Sequence, residues 1–241
     1  MMINVAATVH EAGLFDKKNA AAIAIDVLRA TSVITTALAN GAAAFYPTEE
    51  IEEAFSLAKE LAARHPQDKV LLGGERLALK IPGFDLANSP LEYTVGAVSG
   101  ARLVMTTSNG TRAIKAAGGS QSVYIGCLRN AAAVARQVSG CGEILIVCAG
   151  TQDLPDISDS LAAGAIIREL ETLGLRPELG DLAMMCRDYF NPGTFEAIIR
   201  KSRHGRRLSG MGLDDDILYC CKLNAAATVP KYDGKQIVLC A

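Results

Sequence analysis

An acid and a base three residues apart, Asp26 and Arg29, follow the apolar run AIAI at 22–25. Ligands of open α/β sheets sit in the crevice outside the carboxyl ends of the strands. An aspartate at such an end is a candidate metal ligand, base or nucleophile, and an arginine beside it suits an anionic substrate. Three more apolar runs end in polar residues. VLL at 70–72 leads into Gly73, Gly74, Glu75 and Arg76, and LVM at 103–105 into TTSNGTR at 106–112. ILIVC at 144–148 leads into Ala149, Gly150 and Thr151. Parallel strands would bring all four ends to one edge, making a crevice of carboxylates, arginines, hydroxyls and glycine backbones.

The TTSNGTR segment is the candidate anion cradle. Gly110 permits a turn closed to other residues, Thr111 would open a helix whose free N–H groups favour phosphate, and Arg112 adds a planar charged fork. The plain alternative is a strand-turn-helix with an ordinary threonine cap. Asp26 reads either as a site acid or as a cap for the next helix, and Glu75 as a site acid or a surface acid. The loop at 81–90 holds Asp85, Asn88 and Ser89 between two prolines; long loops of this kind are often functional, with a packed connector as the alternative.

Placing these residues requires strands, expected at 3–9, 22–25, 44–46, 69–72, 102–106, 122–125, 143–148 and 236–240. Helices are expected at 30–40, 49–64, 130–138, 158–173 and 214–221, with Thr48 as N-cap of the second. The alternation predicts an α/β fold, a largely parallel sheet between helix layers, with a mostly helical stretch at 181–223. The 241 residues suffice for one large domain or two lobes. With 24 basic and 26 acidic residues, nothing in the charge balance points to nucleic acid. No run reaches the ~18–20 apolar residues of a membrane span, and the N-terminus has no signal-peptide pattern. Seven cysteines without C-x-x-C spacing fit a reducing cytoplasm.

The familiar catalytic signatures are missing. Leu28 stands where a haloacid-dehalogenase phosphatase needs its second aspartate, and no cysteine has an arginine six positions later. There is no P-loop, H-E-x-x-H or G-x-S-x-G. Arg203-His204-Gly205 matches the core of histidine phosphatases but lies late in the chain, so it reads as a chance match. The basic residues Arg200, Lys201, Arg203, Arg206 and Arg207 read as a solvated face or as added positive potential for an anion site. His10, His65 and His204 lack metal-pair spacing, so a metal would be held by carboxylates, which favours Mg²⁺.

Five blocks, at 25–42, 73–93, 106–113, 147–151 and 158–165, together with HGRRL at 204–208 and GLDDDILYC at 212–220, resemble the 2-phosphosulfolactate phosphatase (ComB) family. The resemblance spans nearly the whole chain. It implies a cytoplasmic, homodimeric, Mg²⁺-dependent hydrolase that releases phosphate from 2-phosphosulfolactate to leave 3-sulfolactate, on the route to coenzyme M. The implied architecture is three-layer α/β/α with a mostly parallel or mixed sheet over 1–241, undivided or in two α/β lobes with the site between them. Matching positions include Asp26, Arg29, Thr31, Glu75, Arg76, Asn88, Ser89, Asn109, Thr111, Arg112, Asp159 and Asp216. From these, Asp26, Arg29, Glu75 and Asp159 are expected to be catalytic, with Asp26, Glu75 and Asp159 around Mg²⁺. Arg76, Asn109, Gly110, Thr111 and Arg112 are expected to bind substrate. Ser158 and Ala162 depart from the family's frequent acid and cysteine, which rules out a cysteine nucleophile at 162. The alternatives are a phosphatase for another phosphorylated 2-hydroxy acid, or a non-catalytic anion-binding protein.

Overall fold

The computed structural model describes residues 1–240. Its strands are β1 (Met2–Ala6), β2 (Ala21–Ile25), β3 (Ala44–Thr48), β4 (Val70–Arg76), β5 (Leu79–Lys80), β6 (Arg102–Thr106), β7 (Ser122–Gly126), β8 (Glu143–Cys148), β9 (Glu178–Leu179), β10 (Pro230–Tyr232) and β11 (Ile237–Leu239). The α-helices are α1 (Ala30–Ala39), α2 (Ile51–Arg64), α3 (Val95–Val98), α4 (Gly110–Ala116), α5 (Ala131–Val138), α6 (Ile157–Thr172), α7 (Asp181–Tyr189), α8 (Phe195–Lys201), α9 (Arg203–Gly210) and α10 (Asp214–Cys220).

All eleven strands join one sheet, in the order β5-β4-β6-β3-β11-β10-β7-β2-β8-β1-β9. The groups β4-β6-β3 and β7-β2-β8-β1-β9 are each parallel. The antiparallel hairpin β10–β11 joins them, pairing antiparallel with β7 on one side and β3 on the other. The sheet is therefore mixed, not simply parallel. Followed strand by strand, the two groups run in opposite senses. Twist offsets this: five steps from β6 to β2, at roughly 20–25° each, rotate the strand direction by roughly 100–125°. The carboxyl ends of both groups line one cleft, through Asp26 and Thr151 from one group and Glu75 and Asn109 from the other.

The packing follows the pleat. Ala22 and Ala24 of β2, Phe45 of β3 and Leu103 and Met105 of β6 share one apolar cluster with α1 and α4 residues such as Ile34, Leu38 and Ile114. The alternate residues of β2, Ala21, Ile23 and Ile25, join α5 and α6 on the opposite face. Val104 of β6 packs there against α2 through Ala54 and Leu61. Helices thus cover both faces, and β2 is buried along its whole length, which is why its sequence is a continuous apolar run. Each large side chain so buried contributes about 1.5–3 kcal/mol.

Two local expectations change. Thr48 remains in β3 and its hydroxyl donates to the Met105 carbonyl (3.2 Å), so Glu50 takes the α2 N-cap position without a side-chain bond. Glu75 and Arg76 belong to β4 itself, which turns into β5 through Leu77 and Ala78, both with positive φ. Among the described residues no helix is long and apolar enough to cross a membrane.

Candidate active site

The carboxyl ends of β2, β4, β6 and β8 open into one cleft. Its lining includes Asp26, Arg29, Glu75, Asn88, Asn109 and Thr151, and α9 adds His204 and Arg207.

Asp26 is fixed through its backbone. Its N–H donates to Thr31 Oγ1 (3.0 Å), and its carbonyl accepts from the Thr31 hydroxyl (2.8 Å) and N–H (2.9 Å). Thr31 thereby turns the chain from β2 into α1. The Asp26 side chain is nearly free of protein partners: Oδ1 accepts a long bond from the Ala30 N–H (3.4 Å). Burial, reinforced by the charges of Glu75 and Asp156 and opposed by His204, pushes its carboxyl up to about 7.

Glu75 also lines the cleft, with both oxygens committed. Oε1 accepts from the Ser108 N–H (2.8 Å) and Oε2 from the Ala78 N–H (2.7 Å). It ties the β4–β5 turn to the loop after β6. Gly74 makes this possible: its φ is +146°, and a Cβ there would collide with the Thr106 carbonyl.

Asp159 is not on the cleft. It lies behind Asp26 in the first turn of α6, where Oδ1 accepts from the Val27 N–H (2.9 Å) and Oδ2 from the Gly150 N–H (3.1 Å). It joins the loops after β2 and β8 from below. Burial, then the charges of Asp156 and Asp26, hold its carboxyl well above the usual range. The expected trio of metal ligands therefore does not assemble. Among the described residues no three His, Cys, Asp or Glu side chains converge as a metal-binding group. The backbone N–H groups that engage Glu75 and Asp159 are the reason.

Arg29 is almost wholly buried and pairs with Asp216 of α10 (2.5 Å), while Nη2 donates to the Ala78 carbonyl (3.1 Å). Asp216 also accepts the Ser89 hydroxyl (2.6 Å). One carboxylate thus holds an arginine from the β2 end and a serine from the 81–90 loop. Beside Ser89, Asn88 lines the cleft, and its Oδ1 is buried without a hydrogen-bond partner.

The expected anion cradle divides. Asn109 lines the cleft. Gly110 does not have the left-handed conformation expected of it; it is needed for close approach to Asp26 and Ala30. Thr111 is buried and serves the turn, its N–H donating to Thr107 Oγ1 (3.2 Å) and its hydroxyl to the Thr107 carbonyl (3.1 Å). Arg76 and Arg112 line a neighbouring hollow with Glu49, Glu50, Thr107 and Ser108. Arg76 is occupied there by the Glu75 and Glu49 carbonyls and the Thr106 hydroxyl. Arg112 pairs with Asp153 on the rim (3.1 Å).

From the sequence alone, the RHG segment with His204 reads as a chance match, and Arg207 as a solvated face or as added positive potential for an anion site. The RHG segment is helical, so the histidine-phosphatase match is indeed accidental, yet α9 turns His204 and Arg207 to the cleft one turn apart. The available signal was this i, i+3 spacing. Arg200 does pair with Glu196 and Asp214, as expected of a solvated face.

Comparison with known proteins gives the family. The family described as 2-phosphosulpholactate phosphatase matches residues 7–235. A probable 2-phosphosulfolactate phosphatase of Symbiobacterium thermophilum is 42% identical over 221 residues, 90% of this chain and 93% of the relative. Those of Caldanaerobacter subterraneus subsp. tengcongensis and Clostridium tetani are 42% and 41% identical, covering 90% and 89% of this chain and 89% and 90% of the relatives. Sequence match and strand-end cleft lead to one conclusion: the chain belongs to the 2-phosphosulfolactate phosphatase family.

Proposed function

We propose that the chain is a phosphoric monoester hydrolase that cleaves 2-phosphosulfolactate to 3-sulfolactate and phosphate. The relatives, each named a probable 2-phosphosulfolactate phosphatase, support this reading, and one observation on the cleft carries it. Arg29, His204 and Arg207 present cationic or proton-donating groups around Asp26 and Asn88; Asp26 accepts only the long Ala30 N–H bond, and the buried Asn88 Oδ1 accepts none. Phosphoryl transfer depends on such charge neutralisation and positioning more than on covalent chemistry. The substrate's phosphate, carboxylate and sulfonate need several separate positive partners, and a cleft with three basic side chains suits them.

The donor set also fits Mg²⁺, a hard ion that takes one or two carboxylates, other oxygens and substrate phosphate. Asp26 and the orphaned Asn88 oxygen would hold it, with Glu75 adding negative charge nearby. Bound there, the ion would neutralise charge on the phosphoryl oxygens. The chain's own groups do the rest. Arg29, held by Asp216, lines the cleft where the anion would sit; Ser108 and Asn109 border it, and Leu28 and Leu77 complete the lining.

The test is phosphate release from 2-phosphosulfolactate, phospholactate and phosphoglycerate, each with and without EDTA. Preference for 2-phosphosulfolactate and loss of turnover in EDTA are expected. Equal turnover of all three esters would replace this reading with a broader 2-hydroxy-acid phosphatase. Binding without turnover would favour an anion-binding protein.

A further inference from the structure

His204 is held on two sides. Its Nδ1 lies 3.3 Å from Asp156 Oδ2 and 3.2 Å from Thr151 Oγ1. The Thr151 hydroxyl donates to Asp156 Oδ2 (2.7 Å), so its proton is already committed. Asp156 Oδ1 accepts from the Ser158 N–H (2.9 Å) and hydroxyl (2.6 Å). Burial opposes ionisation of Asp156, but hydrogen bonds from His204, Ser158 and Thr151 hold its carboxyl well below the usual range. Asp156 is therefore an acceptor, and the Thr151 oxygen is left as one too. The hydrogen between these groups and the ring must be on Nδ1. That leaves Nε2 for the cleft, which His204 lines.

The support extends along α9. Arg203 Nη2 donates to the Thr151 carbonyl (2.7 Å), fastening the helix to the loop after β8. Gly205 lets the backbone of α9 pack directly on the Ile199 carbonyl of α8, where a Cβ would collide. A catalytic imidazole needs such a fixed ring and tautomer. Asp26 and Glu75 share the cleft with it, and Arg207 stands one turn along the helix.

We propose that His204 is the proton-transfer residue of the cleft and that Asp156 is its positioning residue. This inference rests on the hydrolase reading above. A water oxygen bonds to phosphorus as the ester P–O bond breaks. The bonding pair stays on the ester oxygen, which takes the Nε2 proton of the doubly protonated His204 ring and leaves as the alcohol, while the ring keeps its Nδ1 hydrogen. One proton of the water remains on the product phosphate and the other restores Nε2. An alkyl ester oxygen leaves poorly without a proton, and a placed general acid is worth roughly 10²–10⁴ in rate. An aryl ester such as 4-nitrophenyl phosphate releases a stabilised phenolate and needs no such donor.

The experiment compares wild type, His204→Gln and Asp156→Asn on 2-phosphosulfolactate and 4-nitrophenyl phosphate, and reads the imidazole by ¹⁵N NMR. His204→Gln should lower kcat on the alkyl ester by roughly 10²-fold or more with KM little changed, and affect the aryl ester far less. Equal losses on both esters would overturn the assignment. In the ligand-free protein the neutral ring should carry its hydrogen on Nδ1, and Asp156→Asn should disturb that tautomer; a neutral wild-type ring whose single hydrogen is on Nε2 overturns the proposal whichever esters are turned over. If wild type cleaves another phosphomonoester but not 2-phosphosulfolactate, the substrate reading fails, and the His204 comparison proceeds with that ester and the NMR.

Discussion

Gly110 touches Asp26: a Cβ on residue 110 would stand 2.7 Å from Asp26 Oδ2 and would also overlap the Ala30 methyl. The first residue of α4 therefore sets how far the cleft acid can move. Gly110→Ala should push the carboxylate aside or tilt α4. Overpacking of this kind costs about 1–3 kcal/mol of stability, and a misplacement near 1 Å costs roughly 10²-fold in rate. We expect kcat/KM to fall by about that factor in a protein that still melts cooperatively. Unchanged kinetics would mean that the position of Asp26 is not critical.

Much of this site was legible in the sequence because strand-end acids after buried apolar runs leave a clear trace. Asp26 and Glu75 lie where the runs at 22–25 and 70–72 pointed, and β2, β6 and β8 carry the expected polar ends to one cleft. What could not be read was which atoms face inward. Asp159 and Thr111 carry reactive groups but spend them on backbone N–H and carbonyl partners. Arg76 and Arg112 were expected to bind substrate, yet the turn after β4 and the start of α4 direct them to the neighbouring hollow. The RHG segment reads as a chance match because the partners of His204, Thr151 and Asp156, are some fifty residues earlier, and only the packing of α9 on the β8–α6 loop unites them. The strand expected at 236–240 is there as β11, but β10, three residues long, does not stand out by periodicity, and the antiparallel pairing of this hairpin is what makes the sheet mixed.

Asp26 should make stability depend on pH. Its folded carboxyl is raised to about 7 by burial and by neighbouring charges, against the ordinary aspartate value of 3.8. Between those values the folded state binds more protons than the unfolded one, so stability falls as pH rises from about 4 to 7. Asp26→Asn removes this penalty while keeping an acceptor for the Ala30 N–H. In EDTA, the variant should melt several degrees above wild type at pH 8 and little above it at pH 4, since each kcal/mol is worth roughly 2–4 °C at this size. Turnover should be lost. Equal melting differences at both pH values would place the origin of the effect elsewhere.

The Arg29–Asp216 pair should show an asymmetry between its variants. Both side chains are about 3% exposed, and removing one member of such a pair strands the other charge at about 3–5 kcal/mol. Asp216→Ala strands Arg29 and also frees the Ser89 hydroxyl, so a large shift in the urea midpoint is expected. Asp216→Asn retains an oxygen for one partner and should be milder. Because the pair orients Arg29 at the cleft, even the milder variant should raise KM. A small stability change in the alanine variant would show that Arg29 relaxes to solvent.

Arg112 and Arg207 differ in what they already hold, and this separates their effects. Arg112, its side chain 36% exposed, is paired with Asp153 outside the cleft. Exposed pairs contribute about 0–1 kcal/mol, so Arg112→Lys should change kcat/KM by less than about fivefold. Arg207 lines the cleft and forms no ion pair among the described residues. A charge-assisted hydrogen bond to substrate is worth about 1.5–3 kcal/mol, so Arg207→Ala should lower kcat/KM by roughly 10–100-fold. If the group it meets is the sulfonate, phospholactate, which lacks that group, should lose much less. The ratio of kcat/KM for the two substrates in wild type and Arg207→Ala measures this directly. Equal losses would assign Arg207 to the phosphate or carboxylate they share, and a larger loss from Arg112→Lys than from Arg207→Ala would move the anion site to the neighbouring hollow.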